Sequence, residues 1–251
     1  MPRKSKLEDM LVRSKLPRHV GIIMDGNGRW ACRKGLDRIS GHREGMKAAK
    51  AVVKAARDLG IEALTLFAFS IQNWQRPESE VRALMELLKE YIYAEGDMLT
   101  ENGIRLNAIG RLDELPRDVR AALYDLMAET RRSKDMVLTL ALSYGGREEI
   151  VDAARRALAD GVDPAELDER RFANYLYTHD LPDLDLIIRT SGEMRISNFM
   201  LWQSAYAELY VTSALWPDFR RRHLVKALLH YQSRERRFGL TSEQIRKRKT
   251  V

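Results

Sequence analysis

Five short apolar runs, at 20–24, 63–69, 104–109, 136–142 and 184–188, alternate with longer amphipathic stretches, and this rhythm limits the folds open to the chain. The runs lack the polar alternation of a sheet with one wet face, so each reads as a strand buried on both sides. Between them, Met46, Ala49, Val53 and Ala56 mark one helical face. Val81, Leu84, Met85, Leu88, Tyr91 and Ile92 mark a second, at i, i+3, i+4 and i+7 spacing. Strand followed by helix, repeated, predicts an α/β fold: a single domain with a mostly parallel central sheet flanked by helices. That domain is expected over 18–240, between a flexible basic N-terminal segment at 1–17 and a basic C-terminal tail at 241–251.

With 45% hydrophobic residues the chain is too apolar to be disordered, and its lone Cys32 cannot make an intrachain disulfide. No run approaches the ~18 apolar residues of a membrane span. Glu8 and Asp9 stand where a secretory signal would carry its apolar region, so a cytoplasmic protein is expected. Between Asp218 and Val251, 11 Lys and Arg face 3 acids, an excess of +8 in a chain whose total is +7. Such a tail suits an anionic surface, or simply a solvated helix; no nucleic-acid motif accompanies it.

In parallel sheets, ligands bind beyond the carboxyl ends of the strands. The first run is followed there by Asp25-Gly26-Asn27-Gly28-Arg29-Trp30, and the second by Ser70-Ile71-Gln72-Asn73-Trp74-Gln75-Arg76-Pro77. The fourth is followed by Ser143-Tyr144-Gly145-Gly146-Arg147, and the fifth by Arg189-Thr190-Ser191-Gly192-Glu193-Met194-Arg195-Ile196-Ser197-Asn198. Each of these loops contains arginine, which predicts an anion-binding rim.

The first loop matches neither a Walker A pattern nor a dinucleotide fingerprint, because Ala31 replaces the third glycine. Gly26 and Gly28 would still let backbone N–H groups approach an anion, with Arg29 adding charge-assisted hydrogen bonds. Arg33, Lys34, Arg38, His42 and Arg43 follow. Arg76, Arg189 and Arg195, with Ser197, make a second candidate anion pocket, since planar guanidinium groups grip phosphate oxygens in pairs. Two pockets suit two phosphorylated molecules side by side, or one diphosphate and another anion. Asp25 would be repelled by a diphosphate unless a hard cation lay between them, which makes it a candidate Mg²⁺ ligand. Glu208 is a second candidate carboxylate that spacing alone does not select. There is no Cys/His cluster with zinc spacing, no Gly-x-Ser-x-Gly elbow and no Asp-Asp-x-x-Asp pair.

Five ordered motifs carry a resemblance that covers nearly the whole chain. They are the block from His19 to Trp30, Gly41-His42-x-x-Gly45, Phe69-Ser70-x-x-Asn73-Trp74-x-Arg76-Pro77, Tyr144-Gly145-Gly146-Arg147, and Arg189-Thr190-Ser191-Gly192-Glu193-x-Arg195-Ile196-Ser197-Asn198-Phe199. Leu215-Trp216-Pro217-Asp218-Phe219 and Arg234-Glu235-Arg236-Arg237-Phe238-Gly239 follow. On these residues the chain resembles the cis-prenyltransferase family and its bacterial undecaprenyl diphosphate synthase branch.

The resemblance implies Mg²⁺-dependent, repeated addition of isopentenyl diphosphate, with Z geometry, to an allylic diphosphate such as farnesyl diphosphate. The product it implies is undecaprenyl diphosphate, a lipid carrier precursor for cell-wall synthesis. Asp25 is implied to coordinate magnesium and assist diphosphate departure, with Glu208 completing the metal site. Gly26, Asn27, Gly28, Arg29, Arg38 and His42 resemble the allylic diphosphate site, and Arg189, Arg195 and Ser197 the isopentenyl diphosphate site. In the Ser70 to Arg76 loop, Asn73 is the candidate proton acceptor and Trp74 packs the substrate. Trp30, Ser70, Gln72, Arg76 and Ile196 are further substrate-binding positions.

A hydrophobic product tunnel is expected along Met46, Leu84, Leu88, Ile104, Leu106, Met136 and Leu142, positions that would otherwise be plain core. The family also implies a homodimer paired through the Arg234 block, and the basic tail suggests peripheral contact with the inner face of a membrane. Ile71-Gln72 stands where many members have Thr-Glu, Cys32 replaces a frequent lysine or glutamine, and Ser143 a frequent asparagine. Two other readings are a short-chain synthase of the same family and a noncatalytic partner subunit. The second conflicts with the presence of Asp25, Arg29, Arg38, His42 and Asn73.

Overall fold

The computed structural model describes residues 6–235, 241 and 244. Its strands are β1 (His19–Ile23), β2 (Ala63–Ser70), β3 (Ile104–Ile109), β4 (Met136–Tyr144), β5 (Leu186–Arg189) and β6 (Glu208–Val211). They form one sheet in the order β3-β4-β2-β1-β5-β6, and every pair is parallel. The five apolar runs are thus strands, and the expected mostly parallel sheet is wholly so. The sixth strand has four residues, all at least partly exposed, at the sheet's edge, so it carries no apolar run to announce it.

The helices are α1 (Asn27–Arg33), α2 (Arg38–Leu59), α3 (Glu78–Glu101), α4 (Arg117–Thr130), α5 (Gly146–Ala159), α6 (Glu169–Ala173) and α7 (Arg221–Gln232). Asp37 starts α2 by accepting the Ser40 N–H at 2.6 Å, and Gly60 stops it in the left-handed region at φ 88°. The buried face of α2 is rich in alanine and valine, Ala48, Val52 and Ala56 among them, which lets its backbone lie close to the sheet. Val20, Ile22, Leu64, Leu66, Leu138 and Leu140 meet it and Met85 and Leu88 of α3 in the main core. The other sheet face packs a smaller cluster in which Phe67 stacks on Phe199 with ring centroids 4.7 Å apart.

The N-terminal segment, read as a flexible basic arm, lies against α7 where it is described. Arg221 pairs with Glu8, and the Gln232 side chain both accepts from the Val12 N–H at 3.2 Å and donates to its carbonyl at 2.7 Å. Among the described residues no helix is long and apolar enough to cross a membrane. Most of the basic tail, and the Arg234 block beyond Glu235, lie outside the described residues.

Candidate active site at the carboxyl ends of the strands

Just past β1 the chain is clamped to the end of β5. The Asp25 N–H donates to Thr190 Oγ1 at 2.9 Å, the Thr190 hydroxyl returns a bond to the Asp25 carbonyl at 2.7 Å, and the Trp216 N–H donates to that carbonyl at 3.0 Å. Gly26 follows at φ 108°, and a Cβ there would fall 2.9 Å from Leu215. No other residue meets both demands. The segment read as a glycine loop then turns directly into α1. Asn27 opens the helix and Gly28, Arg29 and Trp30 lie within it, so Gly28 makes no turn; a Cβ there would sit 3.4 Å from the Arg38 guanidinium, in ordinary contact. Close approach belongs to Gly41 and Gly45 of α2, since a Cβ on them would stand 2.2 Å from the Asn27 carbonyl and 2.4 Å from its Oδ1.

Asp25 is gripped by two arginines. Its Oδ2 accepts from Arg189 at 3.0 Å and lies 3.3 Å from Arg29. Arg189, with a side chain only 4% exposed, also donates to Ser197 Oγ at 2.7 Å and to the Arg195 carbonyl. Arg29 reaches Ser191 Oγ at 2.5 Å and Glu193 at 3.1 Å, and Glu193 in turn holds Arg195 at 2.6 Å. Burial opposes ionisation of Asp25, but the bond from Arg189 and the charge of Arg29 outweigh it and hold the carboxyl below the usual range. Asp25, Arg29, Arg189, Arg195 and Ser197 are therefore brought into one network.

A second group lies across α1. Arg76 pairs with Glu80 at 3.1 Å, and Arg38 lies 3.8 Å from the same carboxylate. His42 is pushed down to about 4 by burial and by the charges of Arg76 and Arg38, against a weaker opposing pull from Glu80. It is neutral near pH 7. After β2, residues Ile71–Gln75 form a 3-10 turn capped by Ser70, whose N–H donates to Asn73 Oδ1 at 3.1 Å. The amide oxygen of Asn73 is thus engaged within the turn, while Gln72 points to solvent.

Beside the second group a cavity opens, walled at its mouth by Asn27, His42, Asn73 and Arg76 and deeper by Leu84, Leu88, Tyr91 and Leu142. Its volume of about 160 Å³ is enough for a small hydrocarbon group, with mostly apolar walls and an open, polar mouth. Of the positions expected to line a tunnel, Met46, Leu84, Leu88 and Leu142 line this cavity, whereas Ile104, Leu106 and Met136 are buried core that do not. Asn27 Oδ1 is buried against Gly45 with no hydrogen-bond partner among the described residues.

Three sequence-predicted positions stand apart. Trp30 turns away from the cavity, donating to Asp218 at 2.9 Å and packing with Leu215. Ile196 packs under the other sheet face. Glu208 pairs with Leu186 at the amino-terminal ends of β6 and β5, whereas Asp25 lies beyond the carboxyl-terminal end of β1, at Ile23 and Arg189. Three strand steps of ~3.3 Å to the level of Ile23, the further stretch on to Asp25, and two strand spacings separate them, so within this chain they do not share a metal ion. Among the described residues no three His, Cys, Asp or Glu converge as a metal cage.

Sequence reasoning missed the buried Glu149, which accepts from Tyr144 Oη at 2.5 Å, the Tyr177 N–H at 2.8 Å and Gln203 at 3.1 Å. Its burial raises the carboxyl above the usual range, and in sequence nothing separates it from its neighbour Glu148. These bonds anchor the segment leading to Ser197, Asn198 and Met200, three residues held at positive φ. Chemically, the rim offers arginines balanced by internal carboxylates beside a largely apolar cavity, an arrangement suited to an anionic head group with an apolar tail.

The comparisons agree with this geometry. Residues 23–239 match the family model described as "Putative undecaprenyl diphosphate synthase". The chain is 54% identical over 242 residues to an isoprenyl transferase of Geobacter sulfurreducens, covering 95% of this chain and 98% of that one. It is 51% identical to the isoprenyl transferase of Chlorobaculum tepidum, covering 98% and 94% respectively. Among solved structures, lavandulyl diphosphate synthase from Lavandula x intermedia, in complex with dimethylallyl diphosphate, aligns with a TM-score of 0.87 at 37% identity, over 90% of this chain and 99% of that one. A probable undecaprenyl diphosphate synthase from Campylobacter jejuni aligns at 0.75 and 32% identity, over 89% and 98%.

Proposed function

Since the chain belongs to the undecaprenyl diphosphate synthase family and is a cis-prenyltransferase, we propose that it condenses isopentenyl diphosphate repeatedly with farnesyl diphosphate, with Mg²⁺ bound, to give a Z-polyprenyl diphosphate. The proposed product is undecaprenyl diphosphate, feeding cell-wall synthesis. The observation that carries this reading is a largely apolar cavity lined by His42 and Arg76 of one arginine group and by Met24 and Asn27, which flank the Asp25 that the other group holds.

In each cycle the allylic C–O bond breaks, the freed carbon bonds to the terminal alkene carbon of isopentenyl diphosphate, and a proton leaves the adjoining methylene. Arg38 and Arg76 hold the allylic diphosphate, with neutral His42 donating one N–H, and Glu80 yields its arginines to the stronger anion. Arg189, Arg195 and Ser197 hold the isopentenyl diphosphate, with Glu193 relinquishing Arg195. The apolar walls keep water from the electron-poor carbon. Asn73 is a poor base and its oxygen already accepts from Ser70, so the departing diphosphate takes the proton and Asn73 shapes the turn.

Asp25 fits a hard cation: it is kept ionised, it is partly exposed, and one carboxylate with diphosphate oxygens is a sufficient Mg²⁺ set. Bound there, Mg²⁺ would stabilise negative charge on the leaving oxygens. Glu208 is left out of this set. A cytoplasmic homodimer with peripheral membrane contact completes the reading. The exposed edge of the sheet at β6, with Leu209 40% exposed, supports the pairing.

The test is incorporation of radiolabelled isopentenyl diphosphate onto farnesyl diphosphate, with and without Mg²⁺, the products being sized by chromatography. Long products that require the metal support the reading. Short products favour a short-chain synthase, and no incorporation with any allylic primer removes the activity.

A further inference from the structure

We propose that Ser143 and Glu114 form a hydrogen-bond relay that orients Trp74 at the reaction site, which makes Glu114 a positioning residue although it belongs to none of the rim motifs; the inference rests on the prenyl-transfer reading. Trp74 sits in the 3-10 turn Ile71–Gln75, edge-on to Phe69 with centroids 4.9 Å apart. Its indole N–H donates to Ser143 Oγ at 2.8 Å, and the Ser143 hydroxyl donates to the Glu114 carboxylate. An indole N–H only donates and a carboxylate only accepts, so the residue between them must do both. Serine does; alanine does not.

The middle of the relay is rigid. Ser143 is fully buried at the end of β4, holds φ 41° in the left-handed region, and its carbonyl accepts from the Arg111 N–H at 3.1 Å. Glu114 comes from an exposed turn after β3, steadied by Arg111 at 3.7 Å, which is itself bridged to Asp152 of α5 at 3.0 and 3.2 Å. The indole bond therefore fixes the turn to a frame built from β3, β4 and α5. Because Trp74 lies between Asn73 and Arg76, both at the cavity mouth, its orientation sets where those two side chains reach. Asparagine at 143 would preserve the polarity, its oxygen accepting from the indole and its amide donating to Glu114, and it tolerates left-handed backbone better than serine.

Steady-state kinetics with isopentenyl and farnesyl diphosphates, with Trp74 emission taken as the difference from Trp74→Phe, test the relay. Ser143→Ala and Glu114→Ala are each expected to lower kcat/KM about tenfold and to shift Trp74 emission, while Ser143→Asn recovers both. In a double-mutant cycle, Ser143→Ala is expected to add nothing to Trp74→Phe. Folded Ser143→Ala or Glu114→Ala protein with parental kinetics and emission, or additive losses in the cycle, would overturn the proposal. If the parent protein incorporates no isopentenyl diphosphate, the prenyl-transfer reading fails, and the emission shift alone still decides whether the relay exists.

Discussion

The two arginine groups flanking α1 are built differently. Around Asp25, Arg189 is 4% exposed and spends its donors on a carboxylate, a hydroxyl and a carbonyl, while Arg29 and Glu193 close the network outside it. Around His42, Arg38 is 67% exposed and its nearest carboxylate, at 3.8 Å, is shared with Arg76. The first group is assembled before any ligand arrives. The second rests on one 3.1 Å pair, Arg76 with Glu80, and leaves Arg38 in a loose, solvent-screened contact that a ligand could replace. A rigid pocket for one diphosphate beside an adaptable one for the other suits a cycle in which one substrate is always the same size and the other lengthens.

Asp25→Ala should have the largest effect if that contrast holds, lowering kcat by about a thousandfold, because the preassembled group loses the carboxylate at its centre. Wild-type turnover by this variant would break the comparison at once. Next in size is Gly45→Ala, whose Cβ would stand 2.4 Å from Asn27 Oδ1. Overpacking there is expected to cost about 3 kcal/mol, read as a lowered Tm. An unchanged Tm would show that the junction between the groups is as yielding as the His42 side.

A pH titration sharpens the contrast further. With its folded value lowered to about 4, His42 leaves stability intact above its ordinary value of 6.5 and removes it as pH falls from 6.5 towards 4, where the unfolded chain binds the extra proton. Asp25, lowered from 3.8, loses its contribution only below that window. Denaturant unfolding should therefore lose up to about 3 kcal/mol of its pH dependence between 6.5 and 4 on His42→Gln, and the slope that remains belongs to His19 and His223, which burial also lowers. A slope left unchanged by the substitution would exclude His42 as a source. Arg38→Ala should have the smallest effect, about a tenfold rise in KM for the allylic substrate with Tm unchanged. A lowered Tm would mean that the exposed group is also structural.

Much of this was legible in the chain. The five apolar runs are strands because nothing but a doubly covered parallel sheet buries such segments, and the loops after them do meet at one rim. The sequence could not say that Asn27 to Trp30 is helical, since two glycines mimic a loop when only Gly26, at positive φ against Leu215, needs to be glycine. It could not place Glu208, because β6 is short and half-exposed and only its register against Leu186 shows which end of the sheet it occupies. Glu149 and Glu114 escaped for a related reason. A carboxylate's partners come from distant segments, and neither periodicity nor local spacing records them.

The clamp between β1 and β5 has a consequence in time. Asp25 is made early, yet Arg189 and Thr190, which seat it, lie 164 and 165 positions later in the chain. At ~5–20 residues per second, a ribosome reaches them roughly ten to thirty seconds after Asp25. Until then β1 can pair only on its β2 side, and the nascent protein carries a half-sheet whose open edge and uncompensated carboxylate await a strand not yet translated. Assembly of the rim thus waits on a strand made late in synthesis, and a chaperone that shields the β1 edge during that interval would act where this protein is open to mispairing.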